Sequence, residues 1–118
     1  MTEQDLHVVV GTGPVGRAVI GELAGRGLRV RAVSRHTAVG LPEGVETVEA
    51  DITDRAEAAR AAAGAAVVYH AASAPYHRWP ELLPPLMRGV VAGARAAGAR
   101  IVYADNLYAY GPVDGPLT

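Results

Sequence analysis

Apolar runs and amphipathic stretches alternate along this chain in a regular order. Leu6, His7, Val8, Val9 and Val10 form a mostly β-branched run that stops at Gly11. Such a run predicts a strand buried on both faces. Val15, Ala18, Val19 and Leu23 then recur at helical spacing behind Pro14. Proline suits a first helical turn, where its missing N–H has no helical acceptor to lose. Gly25, Arg26 and Gly27 supply residues that end that helix. A second strand is predicted over 29–33, a Gly/Pro-bearing loop over 37–44 and a third strand over 45–50. Asp54 and Glu57 have the offset of a capping box and open an alanine-rich helix that stops near Gly64. A fourth strand follows over 65–70. The proline-rich stretch 73–85 reads as irregular, 86–97 as helix and 100–104 as a fifth strand. Residues 105–118 are polar, rich in Gly and Pro, and carry no periodic pattern.

Strands alternating with helices predict a parallel sheet with right-handed crossovers. The expected architecture is an α/β, Rossmann-type doubly wound sheet of about five strands in the order 3-2-1-4-5. Residues 1–118 read as one domain, without internal repeat or low-complexity tract.

Composition narrows the chemistry. Hydrophobic residues make up 50% of the 118, enough for a buried core. The net charge of -1 argues against a nucleic-acid or polybasic membrane surface. Without cysteine, thiolate catalysis, thiolate metal sites and disulfides are excluded. His7, His36, His70 and His77 lack metal-ligand spacing, so no metal site is expected. The acidic N-terminus lacks the positive region of a signal peptide, and no apolar run reaches the roughly 20 residues of a membrane helix. A cytoplasmic location is the expectation. All eleven basic residues are Arg, so chemistry that needs a lysine cannot be completed within this chain.

The strongest local signal is Gly11, Thr12, Gly13, Pro14, Val15 and Gly16, placed between a predicted strand and a predicted helix. In such a turn the first glycine permits the bend and the second lets the backbone approach a pyrophosphate. The third lets helix and strand pack closely. The helix N-terminus offers free N–H groups and partial positive charge to phosphates. The context predicts a dinucleotide site. An NAD site usually places an acid about 20 residues on, for the ribose 2′-OH. Here the end of the second strand reads Val33, Ser34, Arg35, His36. Arg35 suits a 2′-phosphate, Ser34 is a second donor and Arg17 or His36 an auxiliary one, so NADP is favoured over NAD. Asp51 and Ile52, after the third strand, admit two readings: an adenine edge, or a loop ahead of the Asp54 cap.

Four segments together resemble the short-chain dehydrogenase/reductase superfamily, in its extended and atypical NAD(P)-dependent epimerase/dehydratase branch. They are VVVGTGPVGRAV at 8–19, EADITD at 49–54, VVYHAAS at 67–73 and IVYADNLYAYGP at 101–112. The resemblance implies that Asp51 and Ile52 flank the adenine and that Ala71, Ala72 and Ser73 line the cofactor at the end of strand four. It places Asn106 where family members carry Ser or Thr. An Asn there can polarise a substrate oxygen; the plainer reading is that Asp105 and Asn106 cap a turn. The family's Tyr-x-x-x-Lys pair is missing, since none of the five Tyr has Lys four residues on. That pair normally follows strand five, so the chain reads as the N-terminal portion of a longer protein, or a truncated relative.

Two functions compete on these observations. One is the cofactor domain of an NADP-linked oxidoreductase or nucleotide-sugar epimerase/dehydratase acting on a small-molecule substrate. The other is a non-catalytic NADP-sensing or cofactor-binding module. His70 reads either as a base beside the cofactor crevice or as a strand-end histidine bonded to backbone. Tyr76, His77, Arg78 and Trp79 read as a substrate-pocket wall or as a loop with Trp79 in the core. Missing covering helices predict an exposed sheet face near strands four and five, and with it a homo-oligomer.

Overall fold

The computed structural model describes residues 5–36, 38–72 and 79–103. Its elements run β1 (Leu6–Val10), α1 (Pro14–Gly25), β2 (Arg29–Ser34), β3 (Glu46–Glu49), α2 (Arg55–Ala62), β4 (Ala65–His70), α3 (Trp79–Ala97) and β5 (Arg100–Tyr103). The strands form one sheet in the order β3-β2-β1-β4-β5, and every pairing is parallel. The expected Rossmann-type order is therefore the observed one.

The apolar run of β1 explains its central place, because all five residues are buried. Successive side chains point to opposite faces. Val8 and Val10 join Val33, Val68, the α2 alanines Ala58, Ala61 and Ala62, and Val90 and Ala94 of α3 in one core. Val9 joins Val30, Ala32 and the α1 residues Ile20 and Leu23 in the other. Helices thus cover both faces, as a parallel sheet requires.

The capping signal before α2 is realised in a modified form. The Asp54 side chain accepts from the Glu57 backbone N–H at 3.0 Å. Glu57 reaches past the cap to accept from the Asp51 N–H at 3.0 Å. The other end of α2 is held from the sheet. Arg31 of β2 donates to the carbonyls of Ala61 and Ala63 at 2.8 and 2.9 Å, and its Nε pairs with Glu46 at 2.8 Å. A cation on the last carbonyls of a helix satisfies groups that lack intrahelical partners.

One expected boundary is corrected. The stretch 79–85, read as irregular because of its prolines, is the start of α3, with Pro84 and Pro85 inside the helix. Interior prolines each remove a ladder bond and cost about 3 kcal/mol. Pro80 lies in the first turn, where no such bond exists. The later turns of α3 bury Val90 and Ala94 against the sheet and α2, and this packing outweighs local propensity.

His7 is a polar exception inside the sheet. It is buried on β1, and its Nδ1 lies 2.8 Å from the Tyr69 hydroxyl of β4, while Nε2 is buried with no hydrogen-bond partner among the described residues. Burial holds the His7 imidazole below its ordinary pKa, and nearby Asp5 opposes this. The unfolded chain therefore takes up the proton first as pH falls. The His7 contribution is intact above the ordinary histidine value of about 6.5 and is lost as pH drops below it. Thermal melts from pH 8 to 5 should show a decline in midpoint that is shallower in His7→Leu. Equal slopes in both proteins would show that His7 does not set the dependence.

Candidate nucleotide site

The carboxyl ends of β1, β2 and β4 open into a cleft of about 380 Å³ at the β1–α1 turn. In open α/β sheets this edge is where ligands bind. Three backbone segments meet there without side chains between them. Gly11 adopts φ +114, and a Cβ on it would stand 2.6 Å from the carbonyl carbon of Ala71 and 2.8 Å from the amide nitrogen of Ala72. A Cβ on Gly16 would stand 1.9 Å from the Gly11 carbonyl oxygen. Hydrogen bonds fix the turn to its neighbours: Gly11 N–H donates to Val33 and Ala71 N–H to Val10, both at 2.8 Å.

Gly13 is different. A Cβ built there meets nothing within 4 Å, and its φ of -77 is open to any L-residue. Among the described residues no packing contact requires glycine at this position, although glycine is also a favoured residue at a helix N-cap. It caps α1 with no side-chain hydrogen bond, no acidic residue stands in the first turn, and Pro14 follows. The helix therefore presents uncapped N–H groups and the positive end of its dipole to the cleft, next to a residue with no side chain. A phosphate-bearing ligand fits this cradle by charge and by space.

The structure brings most of the expected residues together. Gly11, Thr12, Gly13, Ser34, Arg35, Ile52, Ala71 and Ala72 all line the cleft. Pro14, Val15 and Gly16 form the first turn of α1 behind it. Arg17 and His36 line it too, and Arg17 Nε donates to the Thr12 carbonyl at 2.9 Å. The Ser34 hydroxyl donates to the carbonyl of His36, shaping the turn that carries Arg35.

Asp51 does not line the cleft. Its Oδ1 accepts from the Thr53 N–H at 3.0 Å and the Thr53 hydroxyl at 2.5 Å. The Thr53 hydroxyl, then its N–H, hold the carboxyl below its usual range, with a further contribution from the charge of Arg35. These bonds hold Asp51 in the turn ahead of the Asp54 cap. His70 is also outside the cleft, buried with its ring 5.2 Å from that of Tyr103. Ser73, Tyr76, His77, Arg78, Asp105 and Asn106 lie outside the described residues. The sequence reading missed Ala38 and Val39 on the loop after β2, Ala50 after β3 and Leu86 of α3. Strand-end position alone marks Ala50; the other three carry no motif. Among the described residues no cluster of three His, Asp or Glu is arranged to hold a metal, and no helix is long and apolar enough to cross a membrane.

A family of NAD(P)H-binding proteins matches residues 11–118. No curated protein matches the chain. Among solved structures, a Burkholderia pseudomallei protein described as exported is 31% identical, with a TM-score of 0.69 over 85% of this chain and 47% of its own. A Bacteroides thetaiotaomicron protein assigned as an epimerase is 26% identical, with a TM-score of 0.70 over 85% of this chain and 46% of its own. An Agrobacterium tumefaciens protein of the short-chain dehydrogenase/reductase superfamily, with NAD bound, is 28% identical. Its TM-score is 0.64 over 83% of this chain and 31% of its own. The chain spans less than half the length of each. The resemblance to that superfamily read from the sequence is borne out.

The three loop glycines should separate in stability measurements. Gly11→Ala and Gly16→Ala should each cost more than about 3 kcal/mol, through strain and backbone overlap. Gly13→Ala should stay within about 1 kcal/mol of wild type or stabilise slightly. Urea unfolding of the three variants checks this. A Gly13→Ala loss equal to the others would mean the fold itself requires that glycine.

Proposed function

The chain belongs to the NAD(P)H-binding family, and from that premise we propose that residues 1–118 form the cofactor domain of a longer NADP-linked enzyme. The observation that carries this reading is Gly13. Its missing Cβ opens onto the cleft and, among the described residues, meets no packing neighbour. A pyrophosphate beside the uncapped N-terminus of α1 accounts for it.

The preference for NADP rests on the end of β2. No carboxylate stands there to accept from a ribose 2′-OH, and Arg35 and Arg17 offer cationic donors for a 2′-phosphate, with His36 on the same cleft. Ile52 and Ala50 give that end an apolar wall suited to adenine, with Asp51 in the turn beside it. Ala71 and Ala72, with Ser73 beyond them in sequence, line the path from the glycine turn toward the nicotinamide end. Bound there, the nicotinamide supplies a hydride donor or acceptor for a small-molecule substrate, a nucleotide sugar being the class implied by the superfamily branch. Asn106, assigned from sequence alone, donates an N–H to the substrate oxygen and polarises it. The similar structures, one assigned as an epimerase and one holding NAD, favour an enzyme over a stand-alone sensing module. A cysteine-free chain fits a reducing cytoplasm.

Self-association belongs to the same proposal. Ile101, Val102 and Tyr103 of β5 are 38%, 42% and 49% exposed at the edge of the sheet. An apolar edge strand invites pairing. Sedimentation of the purified chain should show a dimer that Val102→Lys weakens; a monomer at high concentration in both would contradict this.

Titration with NADPH and NADH tests the cofactor reading. Arg35→Ala should lose about 10- to 100-fold in NADPH affinity, the value of one charge-assisted hydrogen bond, and change NADH affinity little. Gly13→Ala should weaken both nucleotides. Equal losses for both in Arg35→Ala would remove the NADP preference, and no binding to wild type would remove the site.

A further inference from the structure

The wall of the cleft opposite the glycine turn is set by a residue that does not line it. Ile52 reaches the cleft from the turn after β3, and Leu86 reaches it from α3. Behind both lies Gly89, one turn along α3 from Leu86. A Cβ on Gly89 would stand 1.8 Å from the Ile52 carbonyl oxygen, 2.7 Å from its carbonyl carbon and 3.3 Å from its Cγ2. No side chain fits there unless the Ile52 turn or α3 moves, and each carries a cleft residue with it.

The Ile52 turn has little freedom to yield. Asp51 bonds Thr53 through both the backbone N–H and the hydroxyl. The Asp51 N–H is bound by Glu57, and Asp54 caps α2. Ile52 itself is 5% exposed within the core that includes Val90 and Ala94 of α3. A methyl at 89 therefore displaces α3 and Leu86, or distorts a turn tied down at three points.

We infer that Gly89 is a positioning residue for the nucleotide: its lack of a side chain sets the gap between Ile52 and Leu86 where the adenosine end is received. This rests on the proposed cofactor reading for the ligand, but the backbone contact stands without it. Gly93, one turn on, gives the internal control. A Cβ there would stand 2.8 Å from the Ala58 carbonyl oxygen and 3.3 Å from the Ala62 Cβ, a clash between α2 and α3 that involves no cleft residue. Both glycines let α3 approach its neighbours; only Gly89 abuts the wall of the site.

The test compares Gly89→Ala and Gly93→Ala, reading melting temperature and affinity for 2′,5′-ADP, which carries the adenosine end alone. Both variants should melt lower than wild type. Gly89→Ala should bind 2′,5′-ADP at least about tenfold more weakly, while folded Gly93→Ala binds within about twofold of wild type. Leu86→Phe, made in parallel, narrows the same gap from the α3 side without touching the Ile52 carbonyl. It should lower affinity with little change in melting temperature, and it keeps the test intact if Gly89→Ala does not fold. Wild-type affinity in folded Gly89→Ala or in Leu86→Phe, or equal losses in the two glycine variants, overturns the inference while leaving the cofactor reading in place. Wild-type protein that binds neither 2′,5′-ADP nor NADPH overturns both.

Discussion

Gly16 lies so close to the Gly11 carbonyl that a single methyl would come within 1.9 Å of its oxygen, and one on Gly11 would come within 2.6 Å of the Ala71 carbonyl. This stack of main chain on main chain is the constraint on which the site depends. It seats the N-terminus of α1 over the end of β1, so the partial positive charge of the helix faces the cleft. It also aligns the ends of β2 and β4 with the turn, through the bonds from Gly11 to Val33 and from Ala71 to Val10. Side chains at those two positions would push the helix off the sheet and remove the cleft floor.

The opposite face of the sheet uses the same device for a different element. Gly89 and Gly93 bring α3 onto the Ile52 turn and onto α2, where alanines leave room for close helix packing. Arg31 and the Asp51–Thr53–Asp54–Glu57 network then fix the two ends of α2. Gly11 and Gly16 under the site and Gly89 behind it thus hold its two walls at a set spacing. Gly13 has no such packing duty among the described residues, and in the proposed function its absent side chain leaves room for the phosphates of the ligand.

The fold was largely legible because its elements are punctuated locally. The β1 run, the Asp54 cap and the glycines after each helix mark boundaries that tertiary contacts respect. The prolines of α3 misled for the opposite reason: their cost is local, whereas the packing of Val90 and Ala94 that outweighs it is not. In the site, the glycine turn, Ser34, Arg35, Ile52, Ala71 and Ala72 could be placed because strand ends converge in a parallel sheet. Asp51 stayed ambiguous, since an Asx turn and an adenine contact require the same residue type at the same place. Ala38, Val39 and Leu86 were invisible because apolar residues on a loop and a helix carry no motif. Gly89 was invisible because its neighbour, Ile52, is 37 positions away in sequence.

The most direct test of the cofactor site is to titrate isotopically labelled protein with NADPH and follow each backbone amide by NMR. The largest shifts should fall on Thr12, Gly13, Val15 and Gly16 at the α1 N-terminus and on Ser34, Arg35 and His36 after β2, saturating together. Shifts confined to other surfaces, or none on the glycine turn at saturating nucleotide, would contradict the assignment of this cleft to the cofactor.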